Sequence, residues 1–285
     1  MFEVIEKRVL SPVVSLLKFR APHIAQSRKP GQFIIFQIDE KGERVPLTIA
    51  DADPEEGTIT LICQSVGKST RKFNALEKGD KILSLVGPLG KPSHIENFGN
   101  AVCIGGGLGI AVVYPLGKAL KECGNYVSSI MGFRSKELLF MEDELRSISD
   151  ELHIVTDDGS YVRRGLVTDV LKELIDEGKK IDIVFAVGPV PMMRAVCDIT
   201  AKHNIKTIVS LNPIMVDGTG MCGACRVTIG GKTQFVCVDG PEFDGHQVDF
   251  VELSKRQSFY RENEKISLEM MNDHKKCWEK ESKVK

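Results

Sequence analysis

A chain of 285 residues that is 42% hydrophobic and 27% charged has the composition of an ordinary globular protein and is long enough for two compact domains. Its net charge of −1 leaves no basic excess to suggest nucleic acid and no acidic excess to suggest a solvating tail. The N-terminal MFEVIEKRV has no apolar core of signal-peptide length and no apolar run is long enough for a bilayer. The expectation is therefore a cytoplasmic protein with neither a nucleic-acid nor a membrane partner.

Residues 1–98 read as all-β. FIIFQI (33–38) and TITLICQS (58–65) are short runs rich in β-branched residues, and in the second Ile59, Leu61 and Cys63 alternate with other residues. KPGQ, DPEEG, EKGD and GPLGKP punctuate this region at spacings that suggest a small antiparallel barrel or sandwich.

From Ala101 the pattern changes. AVCIGG, VSSIMGF, LHIVTDD, DIVFAVG and KTIVSL are apolar, strand-length runs separated by helix-length segments at 109–123, 136–148, 165–178 and 191–203. Such alternation predicts βαβ units and a parallel sheet, here over 99–211. CIGGGLGIA (103–111) follows the first of these strands and opens a helix, where backbone N–H groups can meet a phosphate. Gly105, Gly106, Gly107 and Gly109 would remove the Cβ atoms from that approach, or serve only close packing of strand and helix. Gly188 and Pro189 repeat the arrangement after a later strand, so two loops are expected to flank one crevice at the carboxyl ends of the strands.

The segment 212–249 is rich in glycine and cysteine. Of the eight cysteines, Cys63, Cys103, Cys123, Cys197 and Cys277 are scattered, the first two as small core residues. In the expected compartment they do not suggest a disulfide framework. Cys222, Cys225 and Cys237 cluster. With Asp217 they give the order Asp-x4-Cys-x2-Cys-x11-Cys, which is plant-type 2Fe–2S spacing with a carboxylate in first place. RVTIGGKTQFVCV reads as a hairpin through Gly230-Gly231 that returns Cys237 to the loop. A structural zinc site using the three thiolates with Asp217, Asp239 or His246 is the alternative, although this spacing is not zinc's usual one. A redox-active Cys-x-x-Cys pair would leave Cys237 unused, and coincidence is the remaining reading. Residues 250–285 are charged and helix-friendly. Their sparse apolar residues (Phe259, Ile266, Met270, Trp278) suggest one or two surface helices packing on the domain or on a partner.

Taken together, these residues resemble the ferredoxin–NADP reductase-like flavoproteins that end in a small 2Fe–2S domain. That family includes the electron-transfer subunits of dihydroorotate dehydrogenase, the so-called sulfide dehydrogenase subunits and the small subunits of electron-bifurcating NADH-dependent ferredoxin:NADP oxidoreductases. The resemblance covers about residues 1–250 and is most specific in SLNPIMVDGTGMCGACRV (210–227). It implies an antiparallel β-barrel FAD domain, an α/β parallel-sheet nucleotide-binding domain, a C-terminal 2Fe–2S cluster domain and a helical tail. It also implies cluster ligation by Asp217, Cys222, Cys225 and Cys237.

By the same resemblance, Arg44-Val45-Pro46-Leu47-Thr48 matches the family's flavin motif. Thr48 takes the hydroxyl position, and Arg44 stands one residue away from the usual arginine. Gly67, Lys68, Ser69 and Thr70 match the second FAD element. Gly105–Gly109 and Gly188-Pro189 match the NAD(H) or NADP(H) half, and Arg134, Lys136, Asp157 and Asp158 match the stretches near the adenosine and ribose. The implied function is an electron-transfer subunit of a ferredoxin:NAD(P) oxidoreductase in a heterodimer. It would pass electrons between NAD(P)H, FAD and the cluster to a larger iron–sulfur flavoprotein resembling a glutamate synthase small subunit, with ferredoxin reached through that partner. No catalytic side chain beyond the cofactors is expected. The alternatives are a dihydroorotate dehydrogenase electron-transfer subunit, which normally has cysteine where Asp217 stands, and a zinc- or cluster-stabilised redox sensor or assembly module without turnover.

Overall fold

The computed structural model describes residues 1–281, with side chains described through Asn272. The first part is a nearly closed antiparallel barrel of seven strands. These are β1 (Phe2–Ser11), β2 (Val14–Arg20), β3 (Phe33–Gln37), β4 (Val45–Asp53), β5 (Thr58–Gln64), β6 (Lys81–Ile82) and β7 (Ser84–Leu89), with spatial order β6-β1-β2-β5-β4-β3-β7. Helices α1 (Pro22–Ser27) and α2 (Lys68–Asn74) accompany it. Ile59, Leu61 and Cys63 point inward and are fully buried, as their alternation predicts. Phe73 of α2 enters the barrel against Phe36 and Phe19, with ring centroids 4.6 and 5.7 Å away. Burial of each such ring contributes about 1.5–3 kcal/mol.

Ile62 is also buried, although it lies on the opposite face of β5 from that core. With Val14, Leu16 and Ala50 it packs on Ile110, Ala111 and Val113 of α3 (Ile110–Glu122). A barrel strand that reads as apolar on both faces thus marks the junction with the next unit.

That unit is built from β8 (Asn100–Gly106), α3, β9 (Tyr126–Phe133), α4 (Glu142–Ile148), β10 (Glu151–Thr156), α5 (Val167–Asp176), β11 (Ile183–Val187), α6 (Val190–Lys202) and β12 (Lys206–Ser210). The five strands are parallel in the order β10-β9-β8-β11-β12, so the direction of winding reverses between β8 and β11. The predicted helix-length segment 136–148 is only half α-helical. Lys136–Leu138 is a 3-10 turn, and Met141 adopts φ 59° while Phe140 and Met141 are buried.

Beyond Ser210 come a long loop, the hairpin β13 (Arg226–Ile229) and β14 (Lys232–Phe235), the short helix α7 (Val236–Asp239) and β15 (Glu242–Asp244). Gly230 and Gly231, at φ +55° and +76°, make the hairpin turn. β15 pairs antiparallel with β12 and becomes the sixth strand of the nucleotide sheet. Asp249 caps α8 (Phe250–Gln257), its carboxylate accepting from the N–H groups of Val251 and Glu252 at 3.0 and 2.9 Å. α8 is less superficial than its composition suggests, because Phe250 and Leu253 are buried in the same core as α6. α9 (Arg261–Glu281) lies beside α2, where Arg71 bonds Asn272, and Phe259, Ile266 and Met270 are exposed. The side chains of Cys277 and Trp278 lie outside the described residues. No described helix is long and apolar enough to cross a membrane.

Candidate functional site

A cavity of about 930 Å³ opens between the barrel and the nucleotide sheet. It lies at the carboxyl ends of β8, β9 and β11, which is the switch point of the sheet. Val13, Val14, Pro46, Leu47, Thr48 and Ile62 form its barrel wall, an apolar surface carrying one hydroxyl. Gly106, Gly107, Gly109, Gly188 and Pro189 form the opposite wall. The two glycine turns touch, since a Cβ on Gly188 would stand 3.2 Å from the Gly106 Cα. One end of the cavity reaches Arg134 and Asp157, and the other reaches Asn212, Pro213 and Met215.

The glycines of the first turn have different jobs. A Cβ on Gly105 would meet Ile110 Cδ1 at 2.2 Å, and one on Gly109 would meet the Val187 carbonyl oxygen at 2.1 Å. Both therefore serve the close approach of strand and helix, and Gly105 does not line the cavity. Gly107 has φ +54° with open space around its absent Cβ, as a backbone exposed to a ligand requires.

The second expected flavin element forms the first turn of α2. There the Thr70 hydroxyl accepts from Val66 and Gly67 N–H at 3.0 and 2.9 Å, and the Ser69 hydroxyl donates to Glu43. Val66 lines the cavity, whereas Gly67, Lys68, Ser69 and Thr70 stand outside its lining. Arg44 also lies outside it. The Arg44 guanidinium donates to the carbonyls of Val216 and Asp217 at 2.6 and 3.4 Å and so reaches the cysteine loop. Lys136 is likewise turned away, its ammonium 5.3 Å from the centre of the Tyr161 ring. The Asp158 carboxylate accepts from Ser160 N–H within its own turn.

In the cysteine loop Gly218, Gly220 and Gly223 have φ of +79°, +83° and +66°, which wind the backbone tightly. Cys225 and Cys237 are buried with their Sγ atoms 3.2 Å apart, and Cys222 is exposed. The Asp217 carboxylate accepts from the N–H groups of Thr219 and Cys222 at 2.9 and 2.8 Å. These donors, Thr219 first, hold it below the usual carboxylate range. Burial, reinforced by the neighbouring Cys225 sulfur, pushes the Cys237 thiol up to about 12, so ligation there would release a proton. Among the described residues no three His, Cys, Asp or Glu side chains stand in a metal-binding arrangement. The structure brings the four expected ligands together as two pairs, Asp217 with the Cys222 backbone and Cys225 with Cys237. Asp217, Cys222 and Cys225 on the glycine-wound loop, with Cys237 on α7, give three soft sulfurs and a carboxylate, a donor set that suits an iron–sulfur group.

His246 is remote from this chemistry, its Nε2 lying 2.9 Å from the Thr200 hydroxyl of α6. Sequence reasoning missed the cavity residues Val13, Val14, Gln64 and Met215. It also missed Arg226 and Arg256, which bond the carbonyls of Gly223 and Ala224 at 3.1 and 3.0 Å. The apolar outward face of β5 was the one available signal, through Ile62.

A barrel and a parallel nucleotide sheet that enclose one cleft, continued by a three-cysteine loop, define an electron-transfer flavoprotein of the reductase class. Comparison with known proteins narrows this. Residues 212–249 match the iron–sulfur cluster binding domain of dihydroorotate dehydrogenase B. The chain is 50% identical over 268 residues to the Thermotoga maritima dihydroorotate dehydrogenase B (NAD(+)) electron transfer subunit homolog, covering 94% of each. It is 32% identical to the electron transfer subunit of Geobacillus thermodenitrificans, covering 86% of this chain and 96% of that one. It is 48% identical to a chain of the solved NADH-dependent reduced ferredoxin-NADP oxidoreductase, with a TM-score of 0.90, covering 95% of this chain and 98% of that one. An Amycolatopsis cytochrome P450 reductase, at 22% identity and a TM-score of 0.59, shares the fold alone. The chain belongs to the family of dihydroorotate dehydrogenase B-type electron-transfer subunits, and FAD, a 2Fe–2S cluster and a nicotinamide nucleotide are the cofactors that its fold and iron–sulfur domain support.

Proposed function

We propose that this chain is the electron-transfer subunit of a cytoplasmic ferredoxin:NAD(P) oxidoreductase. Its partner would be a larger iron–sulfur flavoprotein resembling a glutamate synthase small subunit, through which ferredoxin is reached. One observation carries the reading. The wall of the cleft runs through Met215, and the first expected cluster ligand, Asp217, follows two residues later on the same segment. A cofactor in the cleft and a cluster in the loop are thereby held on one short piece of backbone.

When bound, FAD supplies a group that accepts two electrons and returns them one at a time, which joins a hydride donor to a one-electron cluster. The chain supplies the setting. Pro46 and Leu47 offer an apolar wall to a flat ring, and Thr48 offers a hydroxyl at its edge. Gly107 leaves backbone room for the dinucleotide, Gly188 lets its turn pack against Met192 and Gly106, and Arg134 and Asp157 lie where the dinucleotide's far end would reach. Asp217, Cys222, Cys225 and Cys237 would hold the cluster. No side chain is required to move a proton. The exposed apolar side chains Val216, Met221 and Val238 beside Cys222 offer a surface for the larger subunit.

The alternative, a dihydroorotate dehydrogenase B electron-transfer subunit, is kept alive by the relatives of that name. Asp217 in place of the fourth cysteine favours the first reading. The test is the spectrum of anaerobically purified protein, which should show flavin and iron–sulfur absorption that NADH bleaches. Asp217→Ala should lose or destabilise the cluster while retaining flavin, and unchanged spectra would remove Asp217 from the ligand set. Co-purification with a dihydroorotate-oxidising subunit instead of an iron–sulfur flavoprotein would decide for the alternative.

A further inference from the structure

Three arginines from three parts of the chain converge on one short loop. Arg44, just before β4, bonds the carbonyls of Val216 and Asp217, Arg226 of β13 bonds that of Gly223, and Arg256 of α8 bonds that of Ala224. Each of these carbonyls belongs to Asp217 or to a residue adjacent to one of the expected ligands. In a trans peptide the N–H of the next residue points opposite to the carbonyl. The N–H groups of Asp217, Gly218, Ala224 and Cys225 are therefore turned away from the guanidinium groups, and none donates to a protein acceptor among the described residues. Those four N–H groups are free of protein acceptors on the side opposite the guanidinium groups, while Thr219 and Cys222 N–H bind the Asp217 carboxylate. Arg256 adds a buried Nε with no protein partner.

Loop-holding alone would not call for three full charges, because neutral donors cap carbonyls elsewhere in the chain, as Gln257 does for Asn212. Uptake of one electron by a cluster adds one negative charge without a proton. Nearby guanidinium charge lowers the energy of that form, whereas neutral donors do so only weakly. On the reading that this loop binds a cluster, we infer that Arg44, Arg226 and Arg256 form a cationic collar that positions the loop and favours the reduced cluster. Their effects should follow their screening by solvent. Arg226 is exposed and ranks last, while Arg256 and Arg44 are half-buried and rank higher.

The test is a redox titration of the cluster, followed by its paramagnetic signal, in the anaerobically purified full chain, with iron and sulfide content measured alongside. Arg256→Gln, Arg44→Gln and Arg226→Gln should each make cluster reduction less favourable, by roughly threefold to tenfold at the two half-buried positions. Tenfold corresponds to about 59 mV for one electron. The matching lysine variants should stay within about twofold of the parent, a difference that a purely mechanical strut would not show. Arg146→Gln, a charge removed on α4 away from the loop, should leave the potential unchanged. Parent-like potentials in the glutamine variants, or lysine variants displaced as far as glutamine ones, would overturn the inference. Should Arg256→Gln fail to retain its cluster, Arg44→Gln and Arg226→Gln hold different carbonyls and decide the matter. A parent protein without iron and sulfide would instead defeat the cluster reading itself.

Discussion

Two glycine-rich stretches adjoin one cleft, and most of their glycines are needed for different reasons. Around the end of β8, Gly105 and Gly109 have no left-handed backbone, but the Ile110 side chain or the Val187 carbonyl fills the space a Cβ would take. In the cluster loop, Gly218, Gly220 and Gly223 are all left-handed. The first turn is fixed from inside, by a parallel sheet that presses strand and helix together. The second is wound by its own dihedral angles and held from outside, by arginines that belong to the barrel, the hairpin and α8. A glycine motif is therefore not one signal. What it means depends on whether neighbours or torsions exclude the side chain.

Substitution separates the two cases. Gly109→Ala should have the largest effect, because the clashing atoms, Val187 O at 2.1 Å and Val187 C at 2.6 Å, are backbone and must shift. A loss of about 3 kcal/mol or more is expected by denaturant unfolding, with nucleotide binding lost as the paired turns part. A near-parental midpoint would break the distinction. Gly218→Ala should cost about 2 kcal/mol, since the left-handed backbone is strained and the clashing atoms are the side-chain ends of Leu89 and Ile35 at 2.6 and 2.8 Å. Its sharper effect should be on iron retention. Gly107→Ala should cost only about 1 kcal/mol, as φ +54° is its sole difficulty and open space surrounds it. Weaker nucleotide binding at nearly unchanged stability is the outcome that would distinguish Gly107 from Gly109.

The same contrast explains what could be read from sequence. The inward alternation of Ile59, Leu61 and Cys63, the βαβ alternation and the Gly230-Gly231 hairpin are local patterns, and the folded chain follows them, with Ile62 buried as well on the face of β5 turned to α3. The spacing of Asp217, Cys222, Cys225 and Cys237 can be counted along the chain, and residues 212–249 match an iron–sulfur domain, while ligation by these four residues remains what Asp217→Ala tests. Arg44 was not, since its partners lie 172 and 173 residues away and a flavin motif was the nearer explanation. Nor was β15, whose three residues Glu242–Asp244 are too few for any periodicity and exist as a strand only because β12 has a free edge. The 136–148 segment misled for a related reason, as burial of Phe140 and Met141 overrides the helical tendency of its first half.

Glu242 tests the joint between these regions, with the smallest expected effect. It lies on β15 opposite Ser210 of β12, and its carboxylate accepts a hydrogen bond from the Ser93 hydroxyl at 2.6 Å. Ser93 belongs to the connection from the barrel, so one carboxylate ties the barrel, the nucleotide sheet and the segment that carries the cysteines. Desolvation in this joint pushes its pKa up, and the Ser93 bond only partly opposes that. A carboxyl whose folded pKa lies above its unfolded value favours the protonated form. Its contribution to stability is fully present below the unfolded pKa and is lost as pH rises through the folded one. At pH 7–8 the parent should therefore hold a charge that the joint disfavours. Glu242→Gln keeps the shape and the Ser93 contact without that charge, so it should raise the thermal midpoint by about 2 °C near neutrality. The two proteins should converge below about pH 4. A glutamine variant less stable than the parent at pH 8, and equal to it in acid, would show instead that the charge itself is what the joint requires.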